Sequence, residues 1–156
     1  MTRAGIGYDI HRLAADRRLV LGGVAIEHPT GLVGHSDGDV LLHAIMDALL
    51  GAANLGDLGA HFPSDDPAYA GASSIGLLRR VGEKIRGTGL AVASLDATVI
   101  AEAPRMGPHV GGMREAIAGA LGVGADRVSV KATTNDGLGI VGGGGAIAAL
   151  AIALLE

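Results

Sequence analysis

Glycine fills 27 of 156 positions, while only three aromatic side chains, Tyr8, Phe62 and Tyr69, are available to a core. That is about 17% glycine against a usual ~7%. A chain of this make-up must pack its interior with Ala, Val, Leu and Ile. Its glycines are spread throughout, so they punctuate short elements rather than form a linker. With no internal repeat, residues 1–156 read as one domain, a length at which folding buries roughly 68–70% of the extended surface. A hydrophobic fraction of 49% with 18% charged residues argues against disorder. A net charge of −4 without a basic tract argues against a dedicated nucleic-acid binder. The absence of cysteine removes disulfides, thiolate metal ligands and cysteine nucleophiles, and is compatible with a reducing compartment. No charged-then-apolar leader precedes the first strand. The most apolar run, Ala146–Leu155, falls far short of the ~20 residues of a membrane span. The expected location is cytoplasmic.

The pattern of apolar residues predicts an alternation of strands and helices. Ala4–His11 reads as a strand, and Arg18–Ile26 as an extended run broken at Gly22-Gly23. His28–Gly31 reads as a turn. A helix is expected from Ser36 or Asp37, either of which can cap it, to about Ala53, with Leu41, Leu42, Ile45 and Leu49 inward. A second helix follows Ser73 or Ser74 and stops at Gly87-Thr88-Gly89. Leu90–Ala101 and Arg127–Thr133 read as strands, the second with Val128, Val130 and Ala132 on one face. A third helix starts near Pro108 and ends at Gly122, and Ala146–Leu155 reads as a buried last helix. The expected fold is α/β, in two layers: a mixed sheet of roughly four strands with helices on one face. The other sheet face then needs cover, which a homo-oligomer would supply.

Three clusters carry chemistry. Asp9 and His11 stand at i and i+2 of the first strand, so they point the same way, about 6.5–7 Å apart. His43 lies in the first helix, with Asp39 and Asp47 one turn to either side. Asp, His and His form a three-ligand set for zinc with an open fourth position; ordinary hydrogen-bonded histidines fit the same spacing. Gly34-His35-Ser36-Asp37-Gly38-Asp39 opens that helix, where backbone N–H groups favour an anion; a capped helix after a glycine turn fits equally. In Lys131-Ala132-Thr133-Thr134-Asn135-Asp136-Gly137, an ammonium and hydroxyls suit phosphate, and Asp136 suits a magnesium carried with it. A solvated strand end is the plainer alternative. Gly142–Gly145 lacks the Lys-Ser/Thr of a P-loop. His28, His61 and His109 have no assigned role.

Taken in order, Asp9-Ile10-His11, Gly34–Asp39, His43, Gly56-Asp57-Leu58-Gly59, Phe62-Pro63 and Lys131–Thr134 strongly resemble the 2-C-methyl-D-erythritol 2,4-cyclodiphosphate synthase family, from about Gly5 to Leu155. The resemblance implies a homotrimer with active sites between subunits, and conversion of a cytidine diphosphate substrate to a cyclic diphosphate with release of CMP. It implies zinc on Asp9, His11 and His43, and substrate-phosphate contacts from His35 and Ser36. Asp57, Leu58, Gly59, Phe62, Pro63, Ser64, Asp65 and Asp66 would line the methylerythritol side, and Asp47 would meet its hydroxyls. The neighbouring subunit would bring Ala101, Pro104, Arg105, Met106 and Gly107, then Lys131, Ala132, Thr133, Thr134, Asn135 and Asp136, with Ile140, to the nucleotide. His35 and Thr134 match positions credited with transition-state stabilisation. A magnesium or manganese ion would sit on Asp136.

Three positions depart from the family pattern. Asp136 stands at a position shared by Glu and Asp, and Arg105 stands where Lys is common, keeping the charge but changing the donor geometry. Gly142–Gly145 replaces a Gly-Arg-Gly-Glu pattern, with Gly143 at the Arg position and Gly145 at the Glu position. The resemblance links that Arg to isoprenoid diphosphates in a cavity on the trimer axis, so weak or absent binding there is expected. Two other readings stand beside the cyclase: a zinc phosphohydrolase using Asp39 or Asp47 as base, and a non-catalytic trimeric binding module.

Overall fold

The structure, a computed structural model of residues 1–156, runs in the order β1 (Arg3–Ala15), β2 (Leu19–Leu21), β3 (Val24–Ile26), β4 (Thr30–Leu32), α1 (Val40–Ala52), α2 (Leu58–His61), α3 (Ser74–Gly87), β5 (Val92–Ile100), α4 (Val110–Leu121), β6 (Val128–Thr133), α5 (Gly139–Gly142) and β7 (Ala146–Leu155). Five strands form one sheet in the order β4-β1-β7-β5-β6. β5 and β6 are parallel, joined through α4, and every other pair is antiparallel. β2 and β3 form a separate ribbon. Its turn, Gly22-Gly23, has both residues at positive φ, the backbone of a tight two-residue hairpin.

The expected four-stranded sheet thus gains a fifth strand, and the addition is the segment read as a helix. Ala146–Leu155 is β7, flanked on both sides by other strands. Alanine favours helix intrinsically, but that preference is worth less than a central place in the sheet. An all-apolar run carries no amphipathic period by which to tell the two states apart. The structure also makes Thr30–Leu32 a strand, where a turn was expected through Gly31. The glycine run does not precede a helix: Gly142 closes α5, and Gly143–Gly145 lead into β7.

α1 lies on the inner sheet face, directly over β1. A Cβ at Gly5 would collide with the Ala48 carbonyl oxygen, and one at Gly7 with that of Ala44. Two bare glycines on one strand face therefore let the helix backbone rest on the strand. α1 buries Leu41, Leu42, Ile45, Leu49 and Leu50, and β7 adds Ile147, Ala149, Ala151, Ala153 and Leu155 to the same core. The cap of α1 is Asp39, not Ser36 or Asp37: its Oδ1 accepts from Leu42 N at 3.0 Å. The outer sheet face is left uncovered, with Ile6 71%, Tyr8 54% and Ile152 49% exposed.

Candidate metal centre and active-site cavity

The same strand face that carries Gly5 and Gly7 next presents Asp9 and His11, and α1 presents His43, the residue just before the Ala44 that Gly7 meets. Asp9 Oδ2 lies 2.8 Å from His11 Nε2 and 2.9 Å from His43 Nδ1, and the two ring nitrogens are 3.2 Å apart. Three potential ligand atoms thus converge. A tetrahedral zinc with bonds of roughly 2.0–2.1 Å holds its ligand atoms about 3.3 Å apart, so a slight spreading of this trio accommodates the ion.

The outer ring atoms are held as metal-binding histidines require. His11 Nδ1 donates to Val33 O at 2.6 Å, which leaves Nε2 as the ring atom available to a metal at the centre. His43 Nε2 lies 3.0 Å from Ser36 Oγ and 3.1 Å from Ser74 Oγ. Burial alone would raise the Asp9 carboxyl, but hydrogen bonds and charge from His11 and His43 outweigh it and hold it at about 2. The hydrogen bond to Asp9 raises His11 above its ordinary value.

The trio forms one wall of a cavity of about 320 Å³ that is also lined by Tyr8, His35, Ser36, Asp47, Leu58, Gly59, Phe62, Ser64, Tyr69 and Leu77. Asp47 Oδ1 accepts from Leu58 N at 2.7 Å, fixing the short helix α2 whose N-cap is Asp57. His35 Nε2 lies 3.0 Å from Asp66 O, and Phe62 packs edge-on against Tyr69 at 5.3 Å. Seven of the expected cavity residues line it together: His35, Ser36, Asp47, Leu58, Gly59, Phe62 and Ser64. Asp57, Pro63, Asp65 and Asp66 lie in the adjoining segment without lining it.

The second expected group is not brought to this cavity within one chain. Ala101, Pro104, Arg105, Met106 and Gly107 follow β5, two strands across the sheet from β1, and Lys131–Asp136 end β6, the next strand beyond it. Residues 131–140, which include Ile140, are exposed along their whole length. Lys131 Nζ pairs with Asp96 at 2.6 Å, and Thr134 Oγ1 lies 3.4 Å from Asp136 Oδ1.

Asp39 does not share the site with His43. It is fully buried and turned away, its Oδ1 and Oδ2 accepting from Gly22 N and Gly23 N at 2.9 and 2.8 Å. That removes it as the base of a phosphohydrolase. Sequence reasoning missed Tyr8, Tyr69 and Leu77 as cavity walls, and Ser74 as a partner of His43. Strand alternation turns the Tyr8 side chain away from Asp9, so no signal for it is visible in the sequence, and the others depend on the return of a distant segment.

The sequence profile of the YgbB family matches residues 2–156. The chain belongs to the YgbB family. Its relatives include the 2-C-methyl-D-erythritol 2,4-cyclodiphosphate synthase of Gloeobacter violaceus, 57% identical over 99% of this chain and 94% of that protein. The enzyme of the same name from Trichlorobacter lovleyi is 58% identical, with 98% of each covered. The bifunctional IspD/IspF enzyme of Desulforudis audaxviator is 57% identical, this chain spanning 39% of its length. Among solved structures, the bifunctional IspDF of Campylobacter jejuni superposes with a TM-score of 0.96 at 38% identity, over 99% of this chain and 42% of that one. A 2C-methyl-D-erythritol-2,4-cyclodiphosphate synthase bound to CDP superposes at 0.90 with 34% identity, over 99% and 100%. As a YgbB member, the chain shares its architecture with these enzymes over nearly its full length.

Proposed function

We propose that residues 1–156 act as one cyclase domain that converts 4-diphosphocytidyl-2-C-methyl-D-erythritol 2-phosphate to 2-C-methyl-D-erythritol 2,4-cyclodiphosphate and CMP. This is a phosphorus–oxygen lyase step of non-mevalonate isoprenoid synthesis, placed in the cytoplasm. The observation that carries the reading is the convergence of Asp9, His11 and His43 on the wall of a cavity shared with His35, Ser36 and Asp47, in a YgbB-family chain. An oxygen of the 2-phosphate attacks the β-phosphorus, the bond from β-phosphorus to the bridging oxygen breaks, and CMP leaves with that oxygen. A phosphate monoester has its second pKa at about 6, so the nucleophile is already charged near neutrality and needs no strong base. The barriers are repulsion between anions and orientation of the two ends.

The chain's residues address both. Asp9, His11 and His43 would hold zinc, which would supply Lewis-acid withdrawal of charge from a bound phosphate. His35 and Ser36 donate to the phosphates from the cavity wall. Asp47 accepts from the erythritol hydroxyls, while Asp57–Gly59 and Phe62–Asp66 shape that end and exclude water. Fixing both ends of one molecule supplies the proximity by which cyclisation outruns hydrolysis. The cytidine end is held by a neighbouring copy through Ala101–Gly107, Lys131–Asp136 and Ile140, with Thr134 near the reacting phosphates. Asp136 would hold a magnesium or manganese ion that accompanies the diphosphate, since magnesium commonly binds one carboxylate together with substrate oxygens. This arrangement requires a homotrimer, which the uncovered sheet face supports.

The test is CMP release from the substrate, followed by phosphorus NMR of the products, with zinc and magnesium and again after chelation. Stoichiometric CMP with a cyclic diphosphate, lost on chelation, is the expected result. Phosphate release without a cyclic product identifies a hydrolase instead. A folded, zinc-loaded chain that releases no CMP supports the binding-module reading.

A further inference from the structure

Ser74 is one of only two fully buried polar or charged residues, the other being the cap Asp39. It is the first residue of α3, yet it caps nothing there. Its Oγ instead lies within hydrogen-bond reach of three groups: Asp37 Oδ1 in a very short contact, His43 Nε2 at 3.1 Å and Ser36 Oγ at 3.4 Å. Asp37 Oδ2 also accepts from Ser74 N at 2.8 Å, so the carboxylate grips both ends of this residue.

Donor counting fixes the protons. An ionised carboxylate only accepts, and a serine hydroxyl has one proton. That proton goes to Asp37, so Ser74 presents only lone pairs to His43. Nε2 of His43 must then carry a hydrogen, which leaves Nδ1 as the atom for a metal; without one, Nδ1 lies 2.9 Å from Asp9, itself an acceptor, and shares a proton with that carboxylate. Ser36 Oγ also contacts Nε2, at 3.0 Å, but Ser36 lines the cavity and Ser74 does not. Ser36 is thus the partner that a phosphate can draw away, and Ser74 the one that remains.

We propose that Asp37 and Ser74 are positioning residues that lock His43 in its Nε2–H tautomer, keeping Nδ1 aimed at the metal while Ser36 is free to turn to substrate. This rests on the assignment of a metal to Asp9, His11 and His43. The test measures zinc affinity by competition with a chromophoric chelator for the full chain and for Ser74→Ala and Ser36→Ala, with unfolding of each zinc-free protein followed in parallel. Loss of a partner to a metal-binding histidine weakens metal binding about 10–100-fold, and Ser74→Ala is expected to fall in that range, whereas Ser36→Ala stays within about threefold. A Ser74→Ala chain that binds zinc as the wild type does overturns the proposal. The nitrogen NMR signature of the His43 ring in the zinc-free wild type decides the point even if Ser74→Ala does not fold: a ring protonated at Nε2 is expected, whether or not Nδ1 also holds a proton for Asp9, and a bare Nε2 defeats the proposal. A wild type that binds no zinc sinks the metal assignment and the affinity claim together, while the tautomer still reports on the lock.

Discussion

At the scale of single residues, the centre is a contest between protons and a metal for the same three atoms. Ligands must be deprotonated to bind. Asp9 meets this condition at any ordinary pH, being held at about 2. His11 does not, because its hydrogen bond to Asp9 raises its pKa in the metal-free protein. The sign follows: in the metal-free fold a protonated His11 contributes stability below its ordinary value, which is lost as pH rises through the raised value. Zinc must displace that proton, so affinity should fall as pH drops below neutrality and level off above the raised value, as competition titrations across that window would show. An affinity that does not change with pH would contradict the assignment. His43→Ala should lose zinc and turnover together, read by metal analysis and CMP release; activity retained in zinc-free buffer would refute its role. Asp9 and His11 were legible because a strand sets their relation two residues apart. Ser74 was not, because it meets His43 across 31 positions of sequence and only the folded chain brings them together.

At the scale of elements, the centre exists because α1 sits so low on β1. Two residues of strand rise by about 6.6–6.8 Å, and four residues of helix by about 6 Å. Gly5 against Ala48 and Gly7 against Ala44 are successive rungs of that match, and Asp9 then meets His43, the residue next to Ala44. Gly7→Ala would wedge the two backbones apart at the rung beside the metal. We expect a loss of at least the ~1–3 kcal/mol usual for overpacking, seen in thermal unfolding of the zinc-free chain, and weakened zinc binding. The other anchor of α1 is Asp39, which ties the helix start to the β2–β3 turn through three backbone N–H groups. Asp39→Asn turns one of those contacts into donor facing donor and should cost about 1–3 kcal/mol. Burial pushes the Asp39 carboxyl up to about 6. The fold therefore binds this proton more tightly than the unfolded chain, and stability declines as pH rises from the ordinary carboxylate value through about 6. Asp39→Asn should remove that part of the slope. The sequence offered Ser36 or Asp37 as the cap of α1, and the structure uses Asp39 instead. Only the hairpin turn, brought back from residues 22 and 23, selects Asp39.

At the scale of the whole molecule, one chain divides the proposed active site into halves that it does not bring together. The helices were largely readable, because α3 and α4 bury one stripe each and α1 is a long capped apolar run broken at helical spacing by His43 and Asp47. The central strand was not, because Ala146–Leu155 is apolar on both sides. That same doubly apolar strand, with Leu150 and Ile152 outward beside Ile6 and Tyr8, is what leaves the outer face in need of cover. The proposed trimer should appear in light scattering as three times the chain mass, and Ile152→Glu should break it. If each site draws zinc ligands from one copy and Asp136 from the next, an equal mixture of inactive His43→Ala and Asp136→Ala chains should recover about a quarter of the sites after random reassembly. No recovery from trimers shown to have exchanged subunits would place both groups in one chain.

The glycine rungs of β1 set a clock as well as a distance. With helix backbone laid on strand backbone, the amides of α1 and β7 have no local route to solvent and open only with the whole fold. They should be the last to take up deuterium, whereas residues 134–140, beyond the end of β6, should exchange early and slow only when another copy covers them.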